Sequence, residues 1–261
     1  FVGMFLAMRG TYFIDDNKIP TFAKNKHLKK YILNTILFSL ALLLISWGYT
    51  GHEKISHESA LSFSQEMSQF NAWTQFLANH ASDADERKEW DPDEGIKHYI
   101  DIDNYQQFLN YGTIPQTLDS VIDVYGYNFV FEQGILPWAT LTTYDSLVAC
   151  MARLDWNSAK YFAADLGHYV GDGHMPLHIT RNYNGQYSGN SGIHSRYEST
   201  MISNNIYEID YEGFEVQVVS DINQYVFSNF YTNYTYVDSV LQADDYAQSI
   251  SVNTSSSAYQ N

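Results

Sequence analysis

The chain has 261 residues, enough for one large domain or two small ones, and no internal repeat or linker argues for two. Its 30 Asp+Glu against 14 Lys+Arg give a formal net charge of −16, which argues against broad electrostatic binding of nucleic acid; a metal-filled cleft would still draw phosphate locally. Cys150 is the only cysteine, so no intrachain disulfide forms, and a lone thiol in an exported protein reads as buried and inert.

The chain starts on Phe1, and residues 1–23 carry no pattern. Lys24, Lys26, Lys29 and Lys30 form a basic cluster ahead of an apolar run from Tyr31 to Ile45. An n-region over 24–30 and an h-region over 31–45 predict a Sec signal peptide spanning 24–46, too short and wrongly flanked for a transmembrane helix. Cleavage after Ser46 leaves Trp47 as the amino terminus of a secreted or periplasmic protein. Leu44 is large for its position before the cut, and the alternative is an uncleaved membrane anchor. The domain is expected over 47–252, with a loose Ser/Asn-rich tail over 253–261.

W-G-Y-T-G-H opens this domain, and helical periodicity follows from Lys54 to Met67 and from Ala72 to Asn79. His52 is ordinary by itself, but it stands near a new α-amine that could chelate a metal with its own carbonyl. The charge-dense stretch after His80 reads as a solvated loop, with Asp91, Asp93 and Glu94 at its surface. Asp83 or Asp85 with His98 reads differently, because Tyr99 and Ile100 carry His98 into a packed element. Further helices are expected over Gln116–Val124, Trp138–Leu154 and Trp156–Gly171, the last capped by Asp155 and packed through Phe162, Leu166, Tyr169 and Val170. Two more are expected over Ser220–Phe230 and Tyr236–Ser249. Strand signals are few, which predicts an all-α fold.

The densest chemistry lies between His168 and Glu198, with four of the nine histidines. His168 and Asp172 are four residues apart, as are His194 and Glu198, so each pair projects from one helix face. His178 follows Pro176, which ends or kinks the first helix. A single such pair is ordinary surface decoration; two pairs bracketing a third histidine are not. Imidazole plus carboxylate without cysteine is the ligand set of zinc in a hydrolytic site.

W-G-Y-T-G-H, A-D…H-Y-I-D, H-x-x-x-D-x-x-x-x-x-H and H-S-R-Y-E, in this order, resemble the trinuclear zinc phosphodiesterases. That superfamily joins bacterial zinc-dependent phospholipase C and the fungal single-strand nucleases, and the resemblance covers Trp47 to about Ser199. It implies a single helical domain with three zinc ions at the bottom of a cleft. One zinc would be held by Asp85, His98, His168 and Asp172, and a second by His178, His194 and Glu198. The third would take the amino nitrogen and carbonyl oxygen of Trp47, with His52 and the bridging Asp172. Asp85 is preferred to Asp83 because the family's ligand follows a small residue, here Ala84; His57 is the fallback for His52. His80 and His174 match no ligand position. The resemblance also implies that Asp85 orients or deprotonates the attacking water, giving a phosphomonoester and an alcohol.

The two branches divide on the same residues. W-G-x-x-G-H is similar to the nuclease branch, which would act on single-stranded DNA and RNA. The short loop from His178 to His194, Glu198 and I-H-S-R-Y-E are similar to the phospholipase branch, toward which the reading leans. The family's choline pocket does not carry over, since Thr50 and Glu86 stand at its positions. Tyr183 and Tyr187 could stack a base or line a headgroup site. A non-catalytic zinc-binding protein is a further alternative. No protein partner is implied, which predicts a monomer, and the short mature length predicts a missing closing helix.

Overall fold

Asp155 starts the helix on which the molecule is organised: its carboxylate accepts from the Ser158 backbone N–H and caps a 19-residue helix, Trp156–His174. Met175 is already extended, and Pro176 cannot continue the helical hydrogen bonding, so the helix ends there. The computed structural model describes residues 48–260, and no strand occurs among them. The fold of the described residues is all-α. The segment 1–23, the expected signal peptide over 24–46 and the expected ligand Trp47 lie outside the described residues. Among the described residues no helix is long and apolar enough to cross a membrane.

In chain order the helices are α1 (Tyr49–Glu58), α2 (Thr74–Asn79), α3 (Asp83–Arg87), α4 (Gln106–Tyr111), α5 (Leu118–Tyr125), α6 (Tyr127–Glu132), α7 (Leu136–Ala152) and α8 (Trp156–His174). After a long loop follow α9 (Ile193–Ser195), α10 (Ile202–Asn205), α11 (Ile222–Tyr234), α12 (Val237–Ile250) and the short α13 (Ser257–Gln260). Helices α7 and α8 form a hairpin around Arg153–Asp155, turned by Leu154 in the left-handed region at φ 61°. The expected helices from residue 116 onward are present with ends shifted by at most four residues. The run expected from Lys54 to Met67 is not one helix: α1 stops at Glu58, and 3-10 turns span Ser59–Ser62 and Gln65–Trp73. Serine hydroxyls explain the break, since Ser59 and Ser68 donate to the carbonyls of Ser56 and Gln65 and compete with α-helical bonding.

The main core joins Ile100, Ile102 and Tyr105 to Val121, Val130, Leu136 and Trp138, and closes against Phe227 and Phe230 of α11. Tyr169 is the α8 residue that enters it. Cys150 is buried, as the lone thiol should be. The tail expected to be loose is not: Tyr259 of α13 is buried, its hydroxyl bonded to Asp244 and to the Arg196 guanidinium. One aromatic ring with a paired hydroxyl is enough to dock a segment whose composition alone reads as disordered.

Candidate metal centre

Two helical glycines flank Asp172, and each marks a close approach. A Cβ at Gly171 would stand 3.0 Å from His52 Nδ1, and one at Gly173 would stand 2.9 Å from the Phe230 ring. The G-D-G sequence therefore lets α1 and α11 press against α8 on either side of the carboxylate. Val170, expected on the apolar packing face of α8, is instead exposed and lines a cleft. The expectation fails there because α1 leaves the space over Val170 open.

Three other segments converge on α8. The stretch carrying His98 pairs with the one carrying His178, through Ile100 N–H to the His178 carbonyl and Ile102 N–H to the Ile179 carbonyl. The turn before α3 is tied to α8 by the Ala81 carbonyl, which accepts from His168 Nδ1 at 2.8 Å. That bond places the His168 proton on Nδ1 and turns a lone pair at Nε2 inward.

The first group of donors is His98 Nδ1, His168 Nε2, Asp172 Oδ2 and Asp85 Oδ1. The two ring nitrogens are 3.0 Å apart, and each lies 2.9–3.2 Å from Asp172 Oδ2. Asp85 Oδ1 is 3.6 Å from His98 and 3.7 Å from His168. Ligands at about 2.0–2.1 Å from a tetrahedral metal stand about 3.3–3.4 Å from one another, so these spacings fit one ion. Asp85 is 27% exposed at its side chain and is the member of this group that reaches solvent. The choice between Asp83 and Asp85 has a geometric basis: Asp83 is bound to His80 at 2.7 Å, away from the cluster.

The second group is His178, His194 and Glu198. His194 Nε2 lies 3.2 Å from His178 Nε2 and 3.0 Å from Glu198 Oε2, and His178 Nε2 lies 3.6 Å from Glu198 Oε1. Glu198 belongs to a single turn of π-helix, Arg196–Met201, between α9 and α10. Such a widened turn is frequent at functional positions. Asp172 links the groups. Its Oδ2 faces His98 and His168, while its Oδ1 lies 3.3 Å from both His52 Nε2 and His178 Nδ1. His52, Asp172 and Glu198 make a third cluster of ligand atoms within 4.8 Å of one another. His57, the fallback for His52, is exposed on the far side of α1.

The donor set calls for cations. Among the described residues His52 Nδ1, His98 Nε2, His178 Nδ1 and His194 Nδ1 are buried without a hydrogen-bond partner, and of these only His178 Nδ1 faces the cluster, 3.3 Å from Asp172 Oδ1. Burial alone would strip protons from His98 and His168, but the Asp172 charge and its hydrogen bonds outweigh that and hold both above the ordinary imidazole value. His178 is likewise pushed up to about 10, mainly by Asp172 and then by Glu198, against its burial. Asp172 and Glu198 are held well below the usual carboxylate range by the same histidines, despite burial. These residues are either charged by protons or bound to metal ions, and the buried His/Asp clusters have the chemistry to hold a metal ion.

Two residues that the sequence reading missed belong here. Glu94, read as a solvated loop carboxylate, is 1% exposed. It lies 3.4 Å from His98 Nε2 and accepts from Tyr169 at 2.5 Å, with Lys97 at 2.7 Å and Arg87 at 3.4 Å. Hydrogen bonds from these partners outweigh its burial and keep it ionised, with its pKa well below the usual range. Lys88 places its ammonium 2.6 Å from Asp85 Oδ1. Both carried a signal: Glu94–His98 repeats the four-residue spacing of the other pairs, and Asp85–Lys88 stands at the three-residue helical spacing.

No family model, curated protein or solved structure matches the chain.

The centre opens into a cleft of about 630 Å³ whose floor includes His52, Asp172 and Glu198. Its walls are apolar, with Ile55, Val170, Ile202, Ile206, Tyr211 and Phe214. Lys54, the one lysine on its lining, is paired to Glu58 at 2.5 Å. Of the loop tyrosines, Tyr183 meets His194 edge-on at 5.9 Å, while Tyr187 lies against the Arg181 guanidinium. They do not form a stacking pair beside the metal ligands.

Proposed function

We propose that the chain is a zinc-dependent phosphodiesterase that hydrolyses phospholipids in this cleft. The observation that carries the reading is Asp172, a buried carboxylate whose two oxygens face separate sets of histidines. Bridging of this kind holds metal ions close together, and closely spaced zinc acidifies water and offsets the charge that gathers on a phosphate under attack. His52, Asp85, His98, His168, Asp172, His178, His194 and Glu198 would hold it, with Trp47 as the expected remaining ligand.

The chain's own groups have separable tasks. Asp85 takes the proton of the attacking water, since it alone in its group reaches both the donors and solvent. Lys88, paired to Asp85 at 2.6 Å, holds that carboxylate in place. The Ala81 carbonyl holds the His168 proton on Nδ1, and the Glu94 charge 3.4 Å from His98 Nε2 favours a proton there, so that the inward nitrogens stay free. His178, His194 and Glu198 leave a fourth position open, which supports a catalytic over a storage site.

The cleft lining favours the lipid reading. Apolar walls suit the glycerol backbone and acyl chains of a lipid. A single-stranded nucleic acid needs unpaired cations along its path, and Lys54 on the lining is paired to Glu58. The test uses Asp85→Asn against phosphatidylcholine, single-stranded DNA and a soluble chromogenic phosphodiester, with and without chelator. The expected result is chelator-sensitive lipid cleavage, falling about 10²- to 10⁴-fold in the variant with zinc content nearly unchanged. Wild-type turnover by Asp85→Asn would overturn the role of Asp85, and preference for DNA would move the chain to the nuclease reading.

A further inference from the structure

Residues 206–220 join the π-turn region to α11 without regular structure, and their apolar side chains face outward. Phe214 is 67% exposed and Val218 is 98% exposed, with Tyr207, Val216 and Val219 also at the surface. The segment is nevertheless tied down. Tyr211 and Ser62 share a hydroxyl hydrogen bond at 2.5 Å, and the Phe214 N–H donates to the same Ser62 oxygen at 3.2 Å. Gly213 sits so close to the Leu61 carbonyl that no Cβ would fit. Anchored in this way, the segment forms part of the cleft mouth: Ile209, Tyr211 and Phe214 line the cleft, and Ile55 and Leu61 continue its apolar rim. Single exposed apolar residues need no explanation, but a contiguous rim around a cleft marks an interaction surface.

Charge decides what the rim can meet. No lysine or arginine follows Arg196, whereas Glu208, Asp210, Glu212, Glu215 and Asp221 lie in or beside the segment. A polyanion or an anionic bilayer is repelled by such a surface. A zwitterionic phospholipid surface carries no net charge, and its outermost ammonium groups complement the carboxylates while the valines and Phe214 enter the apolar layer.

We propose that residues 206–220, with Ile55 and Leu61, dock the protein on a zwitterionic phospholipid surface and so bring a headgroup to the cleft. The proposal rests on the lipid reading of the site, and its test separates the two. The full chain is floated with vesicles of phosphatidylcholine and with vesicles enriched in phosphatidylserine, and its turnover of a soluble chromogenic phosphodiester is measured in parallel. The parent should partition onto phosphatidylcholine and less onto the anionic vesicles. Val216→Ser with Val218→Ser should lower partition about ten-fold or more, since each buried valine is worth roughly a ten-fold factor. Both positions are exposed and outside the cleft lining, so soluble turnover should be unchanged. Val218→Trp should raise partition. Parent binding to neither vesicle, stronger binding to anionic vesicles, or equal binding by parent and double serine variant would overturn the docking surface. Normal vesicle docking without soluble turnover would support it and instead sink the enzymatic reading.

Discussion

Glu94 shows how one side chain can be misread from its neighbours in sequence. It stands among Asp91, Asp93 and several lysines and arginines, a composition that is usually solvated, yet it is buried against His98 and Tyr169. Burying an ionised carboxylate is costly unless it is paired, and here Lys97, Arg87 and the Tyr169 hydroxyl all pair it. Its charge lies 3.4 Å from His98 Nε2, where it favours a proton over a bare lone pair. Glu94→Gln keeps the shape and removes the charge, so zinc affinity should fall about 10- to 100-fold, as read by competitive titration with a chromogenic chelator. Unchanged affinity would mean that the carboxylate serves packing alone. The four-residue spacings were legible without a structure, and all eight described candidate ligands meet in the clusters above. Lys88 was not singled out, because a lysine next to an aspartate on a helix is ordinarily a surface pair.

At the scale of elements, α8 is organised by its two glycines beside Asp172. Gly173→Ala adds a methyl facing the ring of the buried Phe230 at 2.9 Å, so the ring or α11 must shift to admit it. Helix propensity favours alanine by about 1 kcal/mol, while overpacking costs about 1–3 kcal/mol. The expected net effect is a loss of up to about 2 kcal/mol, measured by urea unfolding; a gain would show that α11 shifts freely. The cap at Asp155 was legible, whereas Thr117, which also accepts from the backbone three residues on, was read as already inside its helix. The stretch from Ser59 to Trp73 was not legible, because its serines divert hydrogen bonds that periodicity alone cannot foresee. Nor was the docking of α13, which depends on partners distant in sequence, Asp244 and Arg196.

For the whole molecule, protons and bound metal ions would compete for one set of residues. Asp172 and Glu198 have lowered values, so without metal they stabilise the fold above about pH 4 and lose that as pH falls. His98, His168 and His178 have raised values, so their contribution is present below about pH 6.5 and is lost as pH rises, for His178 through about 10. The metal-free protein should therefore be most stable between about pH 4 and 6.5 and melt earlier toward pH 9. Zinc requires the same histidines unprotonated, so the rise in Tm on adding zinc should grow over that range. Melting curves at stepped pH, with zinc or with chelator, measure both trends. A metal-free Tm that climbs from pH 6.5 to 9 would contradict the assignment of charges in the centre.

The central claim is that Asp172 organises a cluster of metal ions, and a metal count tests it most directly. Protein recovered after export, dialysed free of loose metal and analysed by mass spectrometry for zinc per chain, should contain close to three. Asp172→Ala should lose more than one ion, because the residue faces two sets of donors. A chain that retains no zinc, or an Asp172→Ala variant that retains the full count, would contradict the account.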